Sequence, residues 1–147
     1  MSSIQQPILL VEDNPHDAFF LKRALLKVRQ DLSLQLVADG EQALRYLNGE
    51  LEYTDRVLFP LPFLIFLDLK LPYLSGFDVL EQTRNNPTLS AIPVFVLTSS
   101  SEERDRRRAL ELGARDYLVK PPTPEMLLRI LGPSPGTSIA EPAPAQP

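Results

Sequence analysis

Five short apolar runs, separated by longer stretches of helical periodicity, constrain this 147-residue chain more than any other feature. They read ILLV at 8–11, LQLV at 34–37, FLIFL at 63–67, VFVL at 94–97 and YLV at 117–119. The runs are taken as apolar through their length rather than alternating, which is the pattern of strands covered by helices on both faces. Between them, 17–28 carries a stripe of Phe20, Leu21, Ala24, Leu25 and Val28, and 40–47, 76–84 and 102–112 carry similar i, i+3/i+4 stripes on polar surfaces. Punctuation agrees: Asn14–Pro15 precedes the first helix, Ser75 the third, Gly113 follows the fourth, and Thr123, Pro124 and Glu125 read as N-cap, N1 and N2 of a last helix at 124–131. The expectation is an α/β, (βα)5 doubly wound fold. Right-handed crossovers give a parallel sheet with ligands bound beyond the carboxyl ends of its strands.

Composition narrows the chemistry. With no cysteine and one histidine, disulfides, thiolate zinc sites and Cys–His pairs are excluded, leaving carboxylates, hydroxyls and lysines. A metal bound by such a chain is a hard one held by oxygen. The net charge of −4 argues against broad binding of a nucleic-acid backbone. No run approaches the ~18 apolar residues of a membrane span, and the start MSSIQQP lacks the marks of a secretory signal, so the cytoplasm is the expected location. Of fifteen prolines, five fall in the last 15 residues, a stretch with one branched aliphatic residue, Ile139. The expected organisation is an N-terminal extension over 1–7, one domain over 8–132 and a Pro-rich disordered tail over 133–147.

Two segments depart from regularity. Residues 48–62 form a long connection carrying Tyr53, Val57, Leu58 and Phe59, expected to pack on its own apolar residues or to meet a partner. The last helix is apolar nearly all round, with Met126, Leu127, Leu128, Ile130 and Leu131. That pattern asks for a second buried side, which a homodimer or a folded-back tail would supply.

The residues following each run carry the chemistry: Glu12 and Asp13 after the first, Asp68 after the third, Thr98 after the fourth and Lys120 after the fifth. In strand order 2-1-3-4-5 the first and third strands are neighbours, so Glu12, Asp13 and Asp68 converge at the switch point. Two unit charges ~4 Å apart interact by ~4 kcal/mol at an effective dielectric of about 20, so three carboxylates together need a cation. Hard oxygen donors suit Mg²⁺ or Mn²⁺ shared with a phosphoryl group.

The set Glu12–Asp13, Asp68 within DLKLPYLSG, Thr98–Ser99 and Lys120–Pro121, with Pro72 and Gly76 at fixed offsets from Asp68, resembles the flavodoxin-like receiver domain of two-component response regulators. VEDNPHDAFFLKRAL, the long loop with Tyr53 and RNNPTLSAIPVFVLTSS are similar to stand-alone receivers that partner bacterial phytochrome histidine kinases. The resemblance implies that Asp68 accepts a phosphoryl group from a kinase phosphohistidine. It implies that Asp13 ligates Mg²⁺ directly, Glu12 through water, and the Lys70 backbone carbonyl adds an oxygen. Lys120 and Thr98 would contact phosphoryl oxygens, and Tyr117 would swing from exposed to buried. Lys120–Pro121 is expected to be cis. The fourth helix, fifth strand and last helix would form the output face and, with the tail, a homodimer. Such a protein catalyses only its own phosphorylation and dephosphorylation. With no effector domain expected after Leu131, output would come from protein contacts, dimer change or action as a phosphate sink.

Each residue alone has a plainer reading. Glu12, Asp13 and Asp68 could cap helices, His16 could face solvent in a first turn, and Arg104, Arg106, Arg107 and Arg108 could form a solvated helix face. An FMN carrier would need a glycine- and hydroxyl-rich loop where Glu12–Asp13–Asn14–Pro15 stands. A phosphatase of the haloacid dehalogenase type would need an acid where Lys70 stands. DNA contact lacks a helix-turn-helix. The remaining rival is a pseudo-receiver acting only as a protein-binding module. Ser100 and Lys70, each two residues beyond a site residue, are expected to flank the approach of water.

Overall fold

The computed structural model describes residues 6–133. The expected tail from 134 onward and residues 1–5 of the expected extension lie outside the described residues. Five strands alternate with five helices: β1 (Gln6–Val11), α1 (Pro15–Val28), β2 (Leu32–Val37), α2 (Gly40–Asn48), β3 (Leu64–Leu67), α3 (Gly76–Arg84), β4 (Val94–Thr98), α4 (Glu103–Glu111), β5 (Asp116–Val119) and α5 (Pro124–Leu131). All strand pairs are parallel, in the order β2-β1-β3-β4-β5.

The apolar strands are explained by what covers each face. Leu9, Val11, Ile65, Leu67, Val94, Val96 and Tyr117 point to one side, where Ala43, Tyr46 and Leu47 of α2, Val79 and Leu80 of α3 and Ala109 of α4 meet them. Ile8, Leu10, Leu64, Phe66, Phe95, Leu97 and Leu118 point to the other, against Leu21 and Leu25 of α1 and Leu127 of α5. Alternation sends side chains to opposite faces, and both faces are dry.

The first two strands start earlier than the apolar runs indicate. β1 begins at Gln6, pairing with Leu32, so the sheet takes in two residues assigned to the extension. β2 also starts earlier and is an edge strand: Leu36 is exposed and Gln35 half-buried, because no sheet neighbour lies beyond them. α5 buries Leu127 and lays Met126, Ile130 and Leu131 against the sheet-facing cluster, leaving Leu128 as its exposed large aliphatic. The apolar circumference is thus mostly used within one chain.

The 48–62 connection is packed on itself. Tyr46, Tyr53 and Phe59 form a three-ring cluster with centroids 5.0–6.0 Å apart, and the Tyr46 hydroxyl donates to the Pro60 carbonyl at 2.9 Å. Arg56 donates to the carbonyls of Tyr46 and Leu47 in the last turn of α2 and of Phe59 in the connection, which ties the two together. Val57, Leu58 and Leu51 remain exposed.

At the edge of the sheet where the strands begin, Arg29 ties the α1–β2 turn to α5. It pairs with Asp31, donating from Nε at 2.8 Å, and donates to the Leu131 carbonyl at the end of α5 at 2.9 Å.

Candidate functional site

Each site residue is delivered by the end of a strand. Val11 of β1 is in register with Leu67 of β3, and Leu67 with Val96 of β4, so Glu12, Asp13, Asp68 and Thr98 emerge along one edge. The Asp68 amide donates to the Val11 carbonyl at 3.1 Å, extending the ladder to the acid itself. After β3 the chain must turn into α3 in contact with its own strand. A Cβ on Gly76 would lie 2.3 Å from the Asp68 carbonyl oxygen, so only glycine allows this approach. Ser75 and Asp78 close a reciprocal capping box that fixes the start of α3.

Carboxylate oxygens of Glu12, Asp13 and Asp68 all lie within 4.8 Å of one another. Glu12 and Asp68 are buried and Asp13 is exposed. Among the described residues one cation faces them: Lys120 Nζ donates to Glu12 Oε1 at 2.6 Å, to Asp17 Oδ2 at 2.8 Å and to Asp68 Oδ2 at 3.0 Å. Burial raises the Glu12 carboxyl above the usual range, the nearby Asp68 charge adding to it, while the bonds from Lys120 and the Asn14 amide pull the other way. Burial alone would lower the Lys120 ammonium, but its bonds to Asp17, Glu12 and Asp68 outweigh that and hold it above its ordinary value. The lysine is therefore a permanent cation.

Thr98 is fully buried at the end of β4, its hydroxyl accepting a long 3.5 Å bond from the Ser100 amide. Tyr117 is buried, and its hydroxyl donates to the Ser100 carbonyl at 2.9 Å. Burial raises its phenol above the ordinary value. The Lys70 amide donates to Asp68 Oδ1 at 3.3 Å, and the residue itself is exposed. The Lys120–Pro121 bond is cis, as expected.

Other expectations are placed differently. Ser100, expected to flank the approach of water, donates its hydroxyl to Asp105 Oδ2 at 2.7 Å and accepts from the Glu102 amide, which ties it to the start of α4. Asn14, rather than Glu12 or Asp13, caps α1 through the amides of His16 and Asp17. His16 and the four arginines of α4 are exposed. The sequence reading missed Asp17. Its one signal was position: it falls four residues after Asp13, in the first turn of α1.

A response regulator receiver domain profile matches residues 8–131. Response regulator Rcp1 of Synechocystis sp. is 40% identical over 113 residues, covering 77% of this chain and 75% of Rcp1. Its Mn²⁺-bound form is similar in structure at a TM-score of 0.74, with 97% of this chain and 99% of that one covered at 34% identity. The phosphorylated cyanobacterial phytochrome response regulator RcpA is similar at 0.75, with 91% of each chain covered and 34% identity. The bacteriophytochrome response regulator AtBRR is similar at 0.76, with 85% of this chain and 89% of that one covered and 40% identity. The fold, the carboxylate edge and these likenesses agree: the chain belongs to the response regulator receiver-domain family, among relatives that include phytochrome response regulators.

Proposed function

We propose that this receiver takes a phosphoryl group onto Asp68 from the phosphohistidine of a sensor kinase. The observation that carries the reading is the ammonium of Lys120 bonded to Asp68 at the centre of the acidic cluster. A carboxylate oxygen of Asp68 forms the new P–O bond as the P–N bond of phosphohistidine breaks; the imidazole nitrogen keeps the electron pair. Phosphoryl transfer calls on the protein for positioning and charge neutralisation. Lys120 supplies a fixed positive charge beside the equatorial oxygens, and Thr98 a hydroxyl at the same edge. In hydrolysis, water takes the phosphoryl group and the Asp68 carboxylate is restored, so the protein catalyses only its own turnover.

The carboxylates of Glu12, Asp13 and Asp68 form a hard, oxygen-only donor set carrying more negative charge than Lys120 offsets, which fits Mg²⁺ or Mn²⁺. Asp13, Asp68 and the Lys70 carbonyl would hold the ion directly and Glu12 through water. When bound, it neutralises charge on the transferring group.

The kinase is proposed to be a bacterial phytochrome, on the likeness to RcpA and AtBRR. The protein is proposed to act in the cytoplasm; no helix among the described residues is long and apolar enough to cross a membrane. A homodimer through α4, β5, α5 and the tail is supported by exposed Leu110, Val119 and Leu128, and light scattering of wild type and Leu128→Glu tests it. A monomeric wild type ends that part of the proposal.

Intact-mass spectrometry with acetyl phosphate and Mg²⁺ tests the central claim. One phosphate is expected on wild type and none on Asp68→Asn. Absence of an adduct on wild type with any phosphodonor would leave the protein-binding module as the reading.

A further inference from the structure

We infer that Ser100 is a positioning residue for this site: its hydroxyl, held between the Glu102 amide and the Asp105 carboxylate, anchors the loop after β4 so that Thr98 keeps its own hydroxyl proton for a phosphoryl oxygen. The inference rests on the phosphoacceptor reading of Asp68. Three serines, 99–101, join the end of β4 to Glu102, the N-cap of α4. Ser99 and Ser101 are exposed, whereas Ser100 is buried. Among the described residues, Ser100 makes all the hydrogen bonds of the three. Its amide donates to the Thr98 hydroxyl at 3.5 Å, and its carbonyl accepts from the Tyr117 hydroxyl at 2.9 Å. Its hydroxyl accepts from the Glu102 amide at 3.3 Å and donates to Asp105 Oδ2 at 2.7 Å.

These contacts differ in strength. A bond to an ionised carboxylate is short and roughly twice as strong as a neutral one, so the bond to Asp105 is the firm one. Asp105 lies in the first turn of α4, where the helix dipole favours its charge, and it is a fixed anchor for that reason. Glu102 makes no capping bond with its side chain; Ser100, two residues earlier, satisfies its amide instead. The bond from the Ser100 amide to Thr98 is long and weak by comparison. It persists only while the side chain pins the loop in place.

Thr98 shows what that weak bond does. Its side chain is fully buried. A hydroxyl has one proton and two lone pairs. One lone pair takes the Ser100 amide, and among the described residues the proton has no acceptor. The hydroxyl is thus oriented with its proton unspent, the state that a phosphoryl oxygen requires. In a loosened loop no other described bond fixes this rotor, and a threonine hydroxyl then competes for nearby main-chain carbonyls. Coupling of this kind is reciprocal: a phosphoryl group that holds Thr98 also firms the link from Ser100 to α4.

The test is beryllofluoride binding to the full chain at Mg²⁺ concentrations that saturate each variant, read by fluorine NMR, with thermal melts confirming the fold. Ser100→Ala is expected to bind about three- to tenfold more weakly than wild type, the range for the net worth of one hydrogen bond. Ser100→Thr, which keeps a hydroxyl, is expected within about twofold of wild type. In a Thr98→Ala background the change Ser100→Ala is expected to cost less than about twofold, because the hydroxyl it serves is gone. Asp68→Asn is expected to bind none. Wild-type affinity in Ser100→Ala, an equal loss from Ser100→Ala in both backgrounds, or a folded Ser100→Thr as weak as the alanine variant each overturns the role of Ser100 while the phosphoacceptor reading stands. If Ser100→Thr does not fold, the comparison of the two backgrounds decides alone. A wild type that binds no beryllofluoride overturns the phosphoacceptor reading, and this inference with it.

Discussion

Replacing Lys120 with methionine removes the ammonium and keeps most of the apolar stem. Three charge-assisted hydrogen bonds disappear, at 2.6, 2.8 and 3.0 Å. Taken singly, such bonds are worth about 1.5–3 kcal/mol, so the sum is an upper limit. Asp17 recovers most of its share from water, whereas Glu12 and Asp68 are left facing each other in a buried edge. Removing one partner of a buried ion pair costs about 3–5 kcal/mol, and that is the loss expected at pH 7 in chelator. With a urea slope of about 1.5–2 kcal/mol/M, the midpoint falls by about 2 M. The sign of the pH dependence follows from Glu12. Its carboxyl is already raised by burial, and without the lysine it rises further. As pH falls, a carboxyl raised in the native state takes up its proton before that of the unfolded chain does, so lowering the pH favours the native state and narrows the gap to wild type. Adding Mg²⁺ narrows the gap too, because a cation returns to the same carboxylates. A Lys120→Met variant within about 1 kcal/mol of wild type in chelator would refute the view that this lysine balances the acidic edge.

Gly76→Ala should cost about 2–3 kcal/mol in urea unfolding, since its Cβ meets the Asp68 carbonyl oxygen at 2.3 Å and the Leu69 Cα at 2.7 Å, both backbone atoms. The bond from Arg29 holds the Asp31 carboxyl below the usual range. The stability it contributes is present above the unfolded value of about 3.9 and is lost as pH falls through the lower native value, so the deficit of Asp31→Asn should be constant above about pH 5 and shrink in acid. Burial pushes the Tyr46 phenol up to about 12. An alkaline absorbance titration should show a late component there, absent in Tyr46→Phe.

The strands that build the sheet were legible because both of their faces are dry, so each is a continuous apolar run that no surface helix or loop mimics. The same logic explains where the reading slipped. β2 lies at the sheet edge, where Leu36 is exposed, so its pattern did not mark its true start at Leu32. Glu12, Asp13, Asp68, Thr98 and Lys120 could be found because each directly follows a run, and position along a strand is visible in one dimension. Asp17 could not be found this way. It reaches Lys120 from the side of α1, across 103 positions in sequence, and only the packing of α1 against α5, the helix that follows this lysine, brings them together. Ser100 was assigned from its spacing to Thr98, but spacing does not say which way a hydroxyl turns, and Asp105 of α4 claims it. Arg56 carries no pattern in the sequence; the Leu47 carbonyl it contacts is left without a helical partner only because α2 ends at Asn48.

The acidic edge and its lysine have a consequence for synthesis. During translation Glu12, Asp13, Asp17 and Asp68 all leave the ribosome well before Lys120. A nascent chain that has paired β1 with β3 therefore assembles the carboxylates with no ammonium to face them. The same delay applies to the second helical layer, since α5 and the Leu131 carbonyl that Arg29 grips come last of all. The expectation for vectorial folding is that the acidic edge stays unbalanced until the lysine after β5 emerges, and that α1 stays uncovered until α5 follows it.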